Sequence, residues 1–262
     1  FWRWCIASAF MMVLFWPMLR ADIPALWAAA PRLLLLALFG SVGSNGLGYL
    51  ALHYTAPTNV AILSSAMPVM VFALQLALGE KRPSPASVAG IAVSTLGVVI
   101  VCTKGDIASL PHLRWGAGEL LAILSNLSWA LYSVLAPRLK PPVSQRSFTF
   151  GIALGGSLIC APLFVLQASS GTLMEASLPN IAAVAYAGIG VSVFGYMAYN
   201  VALGRLGPRA ASLFMYLIPF ITALFAAAFF GVHPSAYQVL GLAAILCGVV
   251  TAMLAEERNA KV

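Results

Sequence analysis

Nine apolar runs, each close to the length of a membrane crossing, leave this chain few ways to fold. A helix of about 20 residues spans about 30 Å, the thickness of bilayer hydrocarbon. The runs fall at about 1–19, 31–53, 57–79, 84–104, 115–137, 147–167, 179–203, 208–231 and 234–255. They are too long for strands and lack period-two alternation. Only 8% of the 262 residues are charged, against about a quarter in an ordinary soluble domain, too few to build a water-facing surface. The chain therefore reads as an all-α polytopic membrane protein with nine spans, and no segment fits a soluble domain.

Short connections between the runs hold most of the proline and charge. If successive spans alternate sides, one side collects Arg20, Arg32, Lys81, Arg82, Arg138, Lys140, Arg146, Arg205, Arg209, Arg258 and Lys261, and the other only Arg3, Lys104 and Arg114. That imbalance, eleven against three of the 14 Lys and Arg, marks the first side as cytoplasmic. The tail AEERNAKV would be cytoplasmic and Phe1 would lie outside. The net charge of +7 then reflects topology and says little about nucleic acid.

The two halves of the chain match at residues that are not simply apolar. Gly48 and Tyr49 match Gly195 and Tyr196 at an offset of 147, and Pro68, Gly90 and Gly97 match Pro219, Gly241 and Gly248 at 151. An insertion of four residues around GRLGPR would absorb the difference. Pro68 and Pro219 would bend their helices near mid-membrane and are expected to act as hinges. Gly90 and Gly97, like Gly241 and Gly248, lie two turns apart on one helix face, where small residues allow close helix approach. Carried backwards, the offset equates Phe148 with Phe1 and the helix at Trp115 with a segment about 32 residues before Phe1, outside this sequence. The expectation is a ten-helix transporter of five plus five, with its first helix missing here. An odd-numbered unit would enter the membrane the second time from the opposite side, giving an inverted repeat. Residues 1–104 would be the first copy, 115–255 the second and 256–262 a cytoplasmic tail.

Residues 59–101, NVAILSSAMPVMVFALQLALGEKRPSPASVAGIAVSTLGVVIV, and 209–250, RAASLFMYLIPFITALFAAAFFGVHPSAYQVLGLAAILCGVV, carry a family resemblance. So does GELLAILSNLSWALYSVLAPR at 118–138, which is similar to a sixth helix. The chain resembles the EamA branch of the drug/metabolite transporter superfamily, which includes bacterial amino-acid exporters. The most specific mark is the small-residue-then-proline helix ending in Leu78-Gly79-Glu80. The sequence departs from the pattern at its start and at Gly231, where the second copy has no Glu. The resemblance implies ten helices, both ends cytoplasmic, a central cavity and export of small metabolites.

Polar side chains inside the spans are the candidates for contact with that metabolite. Asn45, Tyr49 and His53 follow at i, i+4 and i+8 and so share one helix face. At the 147 offset their partners are Ser192, Tyr196 and Asn200, and Tyr199 is placed in the same set. Polar groups facing lipid would leave hydrogen bonds unmade; two matching stripes facing one watery cavity would not. Asn126, Trp129 and Tyr132 add a third face, and Ser64, Ser65 and Met67 precede Pro68 much as Tyr216 precedes Pro219. The competing reading is helix–helix packing for all of them, and interface anchoring for Tyr54, His53 and Asn200 near helix ends.

Other signals are weaker. GSVGSNGLG at 40–48 lies within a span and carries no Lys, so close packing fits it better than phosphate binding. Gly151-x-x-x-Gly155 suits a helix contact, leaving a monomer or a weak homodimer. The four cysteines have no C-x-x-C or zinc spacing, and there is no catalytic motif. No catalytic residue, metal or cofactor is expected; a membrane-embedded enzyme or a pure scaffold fits poorly.

The mid-membrane sequence holds almost no formal charge, which argues against phosphorylated substrates that need Arg or Lys partners. Neutral and aromatic amino acids are the expected cargo, exported by alternating access; nucleobases, vitamins or cationic drugs are the alternative. His53 and Glu119 are the candidates for a coupling proton, and both fit a structural role better.

Overall fold

The computed structural model describes residues 1–80, 82–106, 108, 116–171, 173–217, 221 and 235–260. Among them there are nine helices and no strand: α1 (Trp2–Ala28), α2 (Ala30–Ala51), α3 (Pro57–Ser64), α4 (Met67–Ala77), α5 (Pro85–Cys102), α6 (Ala117–Leu139), α7 (Gln145–Ser169), α8 (Leu178–Tyr216) and α9 (Ala236–Ala260). Eight stretches are long and apolar enough to cross a membrane, with α3 and α4 sharing one of them, Asn59–Ala77. The expected span at 208–231 begins inside α8, which runs for 39 residues. Pro219, Gly231 and Trp115, and with them one of the two expected hinges, lie outside the described residues.

Local geometry departs from the sequence expectation in three places. The connection expected after residue 19 is helical: α1 continues through Pro24 to Ala28, and only Ala29 (φ −97°) separates it from α2. The break falls earlier, at Phe15 (φ −116°), two residues before Pro17, where the proline ring clashes with the preceding turn and removes a backbone donor. Next, α2 and α8 are not α-helical throughout, since Leu38–Gly43 and Tyr186–Gly195 are π-helical. The segments are six and ten residues long, and the helices that hold them start at Ala30 and Leu178, 148 positions apart. After the π segments, α-helix resumes at Ser44 and Tyr196, 152 apart. The offset between the two helices thus grows by four across the longer π stretch. Finally, α8 turns sharply at Gly207, whose φ of +80° is open to glycine and costly to most residues, and Pro208 starts the helix again.

Two compact units form. One comprises Phe1–Asn45 with Leu135–Arg205, the other Gly46–Val134 with Leu206–Val262. Each draws on both of the segments that match one another in sequence.

In the first unit α7 packs on α1 and α2 through small residues. A Cβ added at Gly155 would lie 2.8 Å from Ala37 Cβ, one at Gly156 2.9 Å from Ser41 Cβ, and one at Gly151 3.0 Å from a Leu33 methyl. Leu33, Ala37 and Ser41 are four residues apart and so present one ridge to these glycines. The Gly151-x-x-x-Gly155 face is thus covered by the chain's own α2.

In the second unit α5 and α9 lie against each other. A Cβ at Gly90 would stand 2.5 Å from the Gly248 carbonyl oxygen, and one at Gly97 2.6 Å from that of Gly241. The numbers rise on one helix as they fall on the other, so the pair is antiparallel. Ser94 Oγ donates to the Ile245 carbonyl at 3.2 Å. Phe72, Ile91, Val98, Leu213, Tyr216, Ile245, Val249 and Ala252 close into one core around this contact.

The same unit pins the break between α3 and α4. Tyr216 Oη donates to the Ser65 carbonyl at 2.9 Å and lies 2.8 Å from Thr95 Oγ1. Pro68 is buried just beyond. Replacing Tyr216 by Phe leaves the Ser65 carbonyl without this donor at a cost of about 1–2 kcal/mol. Thermal unfolding in detergent should show a fall of a few degrees, and an unchanged midpoint would mean the bond contributes nothing. At one end of this unit, Arg209 Nη1 lies 3.6 Å from Glu256 Oε2, the two side chains 12% and 13% exposed. Ser87 Oγ donates to Glu256 Oε1 at 2.6 Å, while Gln75 accepts from Arg209 Nε at 3.0 Å and donates to Glu80 Oε2 at 2.7 Å. This chain of bonds ties α4, α5, α8 and α9 together, and it places Glu80 of the Leu-Gly-Glu mark at its edge.

Candidate functional site

The polar side chains are divided between the two units.

In the first unit they meet at the π segments. A π turn takes in an extra residue, so its carbonyls are less completely covered by the following turn. The Gly40 carbonyl accepts from Ser44 Oγ at 2.6 Å, from Asn45 Nδ2 at 3.2 Å and from the Tyr196 hydroxyl. Asn45 Nδ2 also reaches Tyr196 Oη at 2.9 Å, and Ser192 Oγ donates five residues back, to the Ala187 carbonyl, at 3.0 Å. Into this knot comes Arg3. Its Nε donates to Ser192 Oγ at 2.6 Å and its Nη1 to Asn45 Oδ1 at 2.8 Å. The guanidinium carbon stands 5.0 Å from the centroid of the Trp4 ring, close enough for a cation–π contact. Trp4 in turn meets Tyr196 edge to face, centroids 5.3 Å apart.

Three residues of the expected stripe, Asn45, Ser192 and Tyr196, are therefore brought together, and Arg3 holds them. Tyr196 is 4% exposed and Ser192 fully buried. Sequence reasoning missed Arg3 because a cation three residues into the first run counts equally well as a loop charge. Its available signal was its place, inside a helix and not between helices. Asn200 is buried in the same unit, its Nδ2 3.4 Å from Thr149 Oγ1, and Tyr199 beside it is partly buried.

The second unit holds the others. Tyr49 is 55% exposed near the end of α2. His53 lies in the turn beyond Ala51 and is exposed, so the i, i+4, i+8 face ends at Tyr49. Ser64 ends α3, Ser65 is buried at the break and Met67 starts α4. Tyr216 is buried and bonded as described. Glu119 has the setting of a structural acid: its carboxylate accepts from the Gly116 N–H at 2.9 Å, from Asn59 Nδ2 at 3.3 Å and from the Thr55 hydroxyl. It satisfies the first turn of α6, where the helix dipole favours a negative charge.

On α6 itself, Asn126 is 5% exposed, and its Nδ2 has no hydrogen-bond partner among the described residues. Trp129 and Tyr132 follow it at the spacing of one and two turns. Their rings lie 5.4 Å apart and are tilted by 39°. Tyr132 is fully buried and Trp129 partly so. Ala130 and Val134 on the same helix pack on Val71 of α4, with Met70 and Leu74 alongside. A buried amide donor and an aromatic pair thus follow one another along a helix that touches α4. Among the described residues no group of three or more His, Cys, Asp and Glu is placed to hold a metal ion.

The EamA-like transporter family matches residues 1–103 and again 116–254. A Bacillus subtilis protein described as the uncharacterized transporter YyaM is 30% identical over 258 residues, covering 96% of this chain and 82% of its own length. An Escherichia coli protein described as the uncharacterized inner membrane transporter YedA is 26% identical over 234 residues, covering 88% and 72%. A solved crystal structure superposes with a TM-score of 0.74 at 21% identity, covering 98% of this chain and 86% of that one, a likeness of fold.

Proposed function

The chain belongs to the EamA-like transporter family, and we propose that it exports neutral and aromatic amino acids across a bacterial inner membrane by alternating access. It is a multi-pass membrane transporter whose substrate is a small molecule. The orientation proposed is C-terminus cytoplasmic, with two oppositely inserted copies; the charge imbalance between connections and the antiparallel α5–α9 contact support it.

The observation that carries the substrate reading is Asn126. A buried amide N–H without an acceptor costs about 1–3 kcal/mol, and a ligand oxygen would recover it. About one turn away, the partly buried Trp129 offers a ring to an apolar or aromatic side chain, with the buried Tyr132 ring packed against it. A donor beside rings suits an amino acid, which brings a carboxylate and a side chain together. It suits a cationic drug poorly, because an ammonium offers the amide N–H nothing to bond to. Nucleobases, with carbonyl acceptors on a flat ring, are the second reading.

Counterflow into proteoliposomes loaded with unlabelled compound tests this. Labelled phenylalanine, leucine and tryptophan are expected to accumulate, and Asn126→Leu is expected to cut their uptake at least tenfold, about 1.4 kcal/mol. Uptake of nucleobases or cationic drugs with no amino acid carried would refute the amino-acid reading.

A further inference from the structure

We infer that Asn126 is the specificity-determining residue that separates substrates bearing an oxygen acceptor from those bearing only an amine. The inference rests on the transport reading above, but not on the substrate's being an amino acid. The warrant is an asymmetry in the side chain's situation. Ser125 and Tyr132 nearby are engaged in further interactions of their own, and most buried polar groups of α6 are bonded within the chain: Ser133 Oγ donates to the Trp129 carbonyl at 2.7 Å, and Glu119 takes three donors. Asn126 is as deeply buried as they are, yet its Nδ2 keeps its hydrogens without an acceptor among the described residues. A native interior seldom holds such a group without a reason. Where α6 meets α4, the packed side chains of Val71, Ala130 and Val134 are apolar and offer no side-chain acceptor. What Nδ2 asks for is a carboxylate or carbonyl oxygen; an ammonium can bond only to the amide's own oxygen and leaves that N–H unmet.

Exchanging the donor for an acceptor of the same shape should then reverse the preference. Asparagine and aspartate are nearly isosteric, and an ionised aspartate only accepts hydrogen bonds. Leucine keeps the bulk and removes both functions. Three compounds separate the cases: phenylalanine, with ring, amine and carboxylate; 2-phenylethylamine, with ring and amine only; and uracil, with carbonyl acceptors and no charge.

The experiment is counterflow of the three compounds by the wild-type protein, Asn126→Asp and Asn126→Leu, with thermal unfolding of each in detergent without substrate. Wild type is expected to carry phenylalanine and to reject 2-phenylethylamine. Asn126→Asp is expected to raise the KM for phenylalanine at least tenfold and to admit the amine. Asn126→Leu is expected to lose phenylalanine without gaining the amine, and to unfold no earlier than wild type, since the empty protein loses only an unsatisfied donor. That last readout separates a ligand-reading amide from a structural one, whose removal would lower the midpoint. If Asn126→Asp does not fold, Asn126→Leu alone decides: phenylalanine carried with the wild-type KM, or a lowered midpoint, overturns the inference. Should wild type carry uracil and not phenylalanine, the amino-acid reading fails, while the same variants still decide Asn126 by the loss or survival of uracil uptake. Wild type carrying only the amine, or none of the three, overturns the inference.

Discussion

Replacing Gly97 by valine is expected to abolish the folded protein. The new Cβ would arrive 2.6 Å from the carbonyl oxygen of Gly241 and 2.8 Å from the backbone nitrogen of Ile245. Both are main-chain atoms of α9, so no rotamer change makes room; the helices themselves must part. Overpacking against movable side chains costs about 1–3 kcal/mol. Here the whole α5–α9 contact is lost, including the packing of Ile91, Val98, Ile245 and Val249 and the Ser94 bond to Ile245. Helices in lipid are held largely by such packing, because lipid tails are as apolar as leucine. A loss on the order of 4–5 kcal/mol is expected, at the far end of what single substitutions do. Gly204→Ala is the control, because nothing lies within 4 Å of a Cβ there and alanine suits a helix better by about 0.5–1 kcal/mol. Size-exclusion profiles after detergent extraction read both. A monodisperse Gly97→Val peak with a wild-type midpoint would disprove the contact.

The second large effect is expected at Arg3. Arg3→Leu removes the donors to Ser192 Oγ and Asn45 Oδ1. Hydrogen bonds from a charged group contribute about 1.5–3 kcal/mol each, so a combined loss of about 3–5 kcal/mol is expected, tempered by the desolvation that a half-buried cation no longer suffers. Arg3→Lys should not restore it. Arginine reaches both acceptors from two nitrogens of one planar group, and an ammonium is a single point on a flexible stem. Thermal midpoints of the three proteins in the same detergent give the answer. Arg3→Lys equal to wild type would mean that the charge matters and the bridging does not.

Much of the fold was legible because run length is a blunt and reliable signal: lipid demands about 20 apolar residues whatever else the helix does. The glycines at 90, 97, 241 and 248 were legible as contact faces through their two-turn spacing, although not as faces that meet each other. The π segments were not legible. GSVGSNGLG and YAGIGVSVFG both hold glycines, but within a span glycine marks close helix packing as readily as a widened turn. The end of α1 was misjudged because PALWAAA carries a proline, and a proline near a helix end bends the helix without stopping it. Pro68 shows a limit of a different kind. A proline marks a break, but the hydroxyl that pins this one comes from Tyr216, 148 positions later, and no local pattern announces it. Of the candidate site, Asn126, Trp129 and Tyr132 were visible as a face, while Arg3 was hidden by its resemblance to a loop charge.

The α5–α9 contact has one more property. Gly90 meets Gly248 and Gly97 meets Gly241; exchange each glycine for its counterpart 151 positions away, and one contact becomes the other. The surface is its own complement, as in an isologous dimer folded into one polypeptide. A fragment that ended near residue 103 would carry half of it bare, ready to clasp a second fragment lying the other way up.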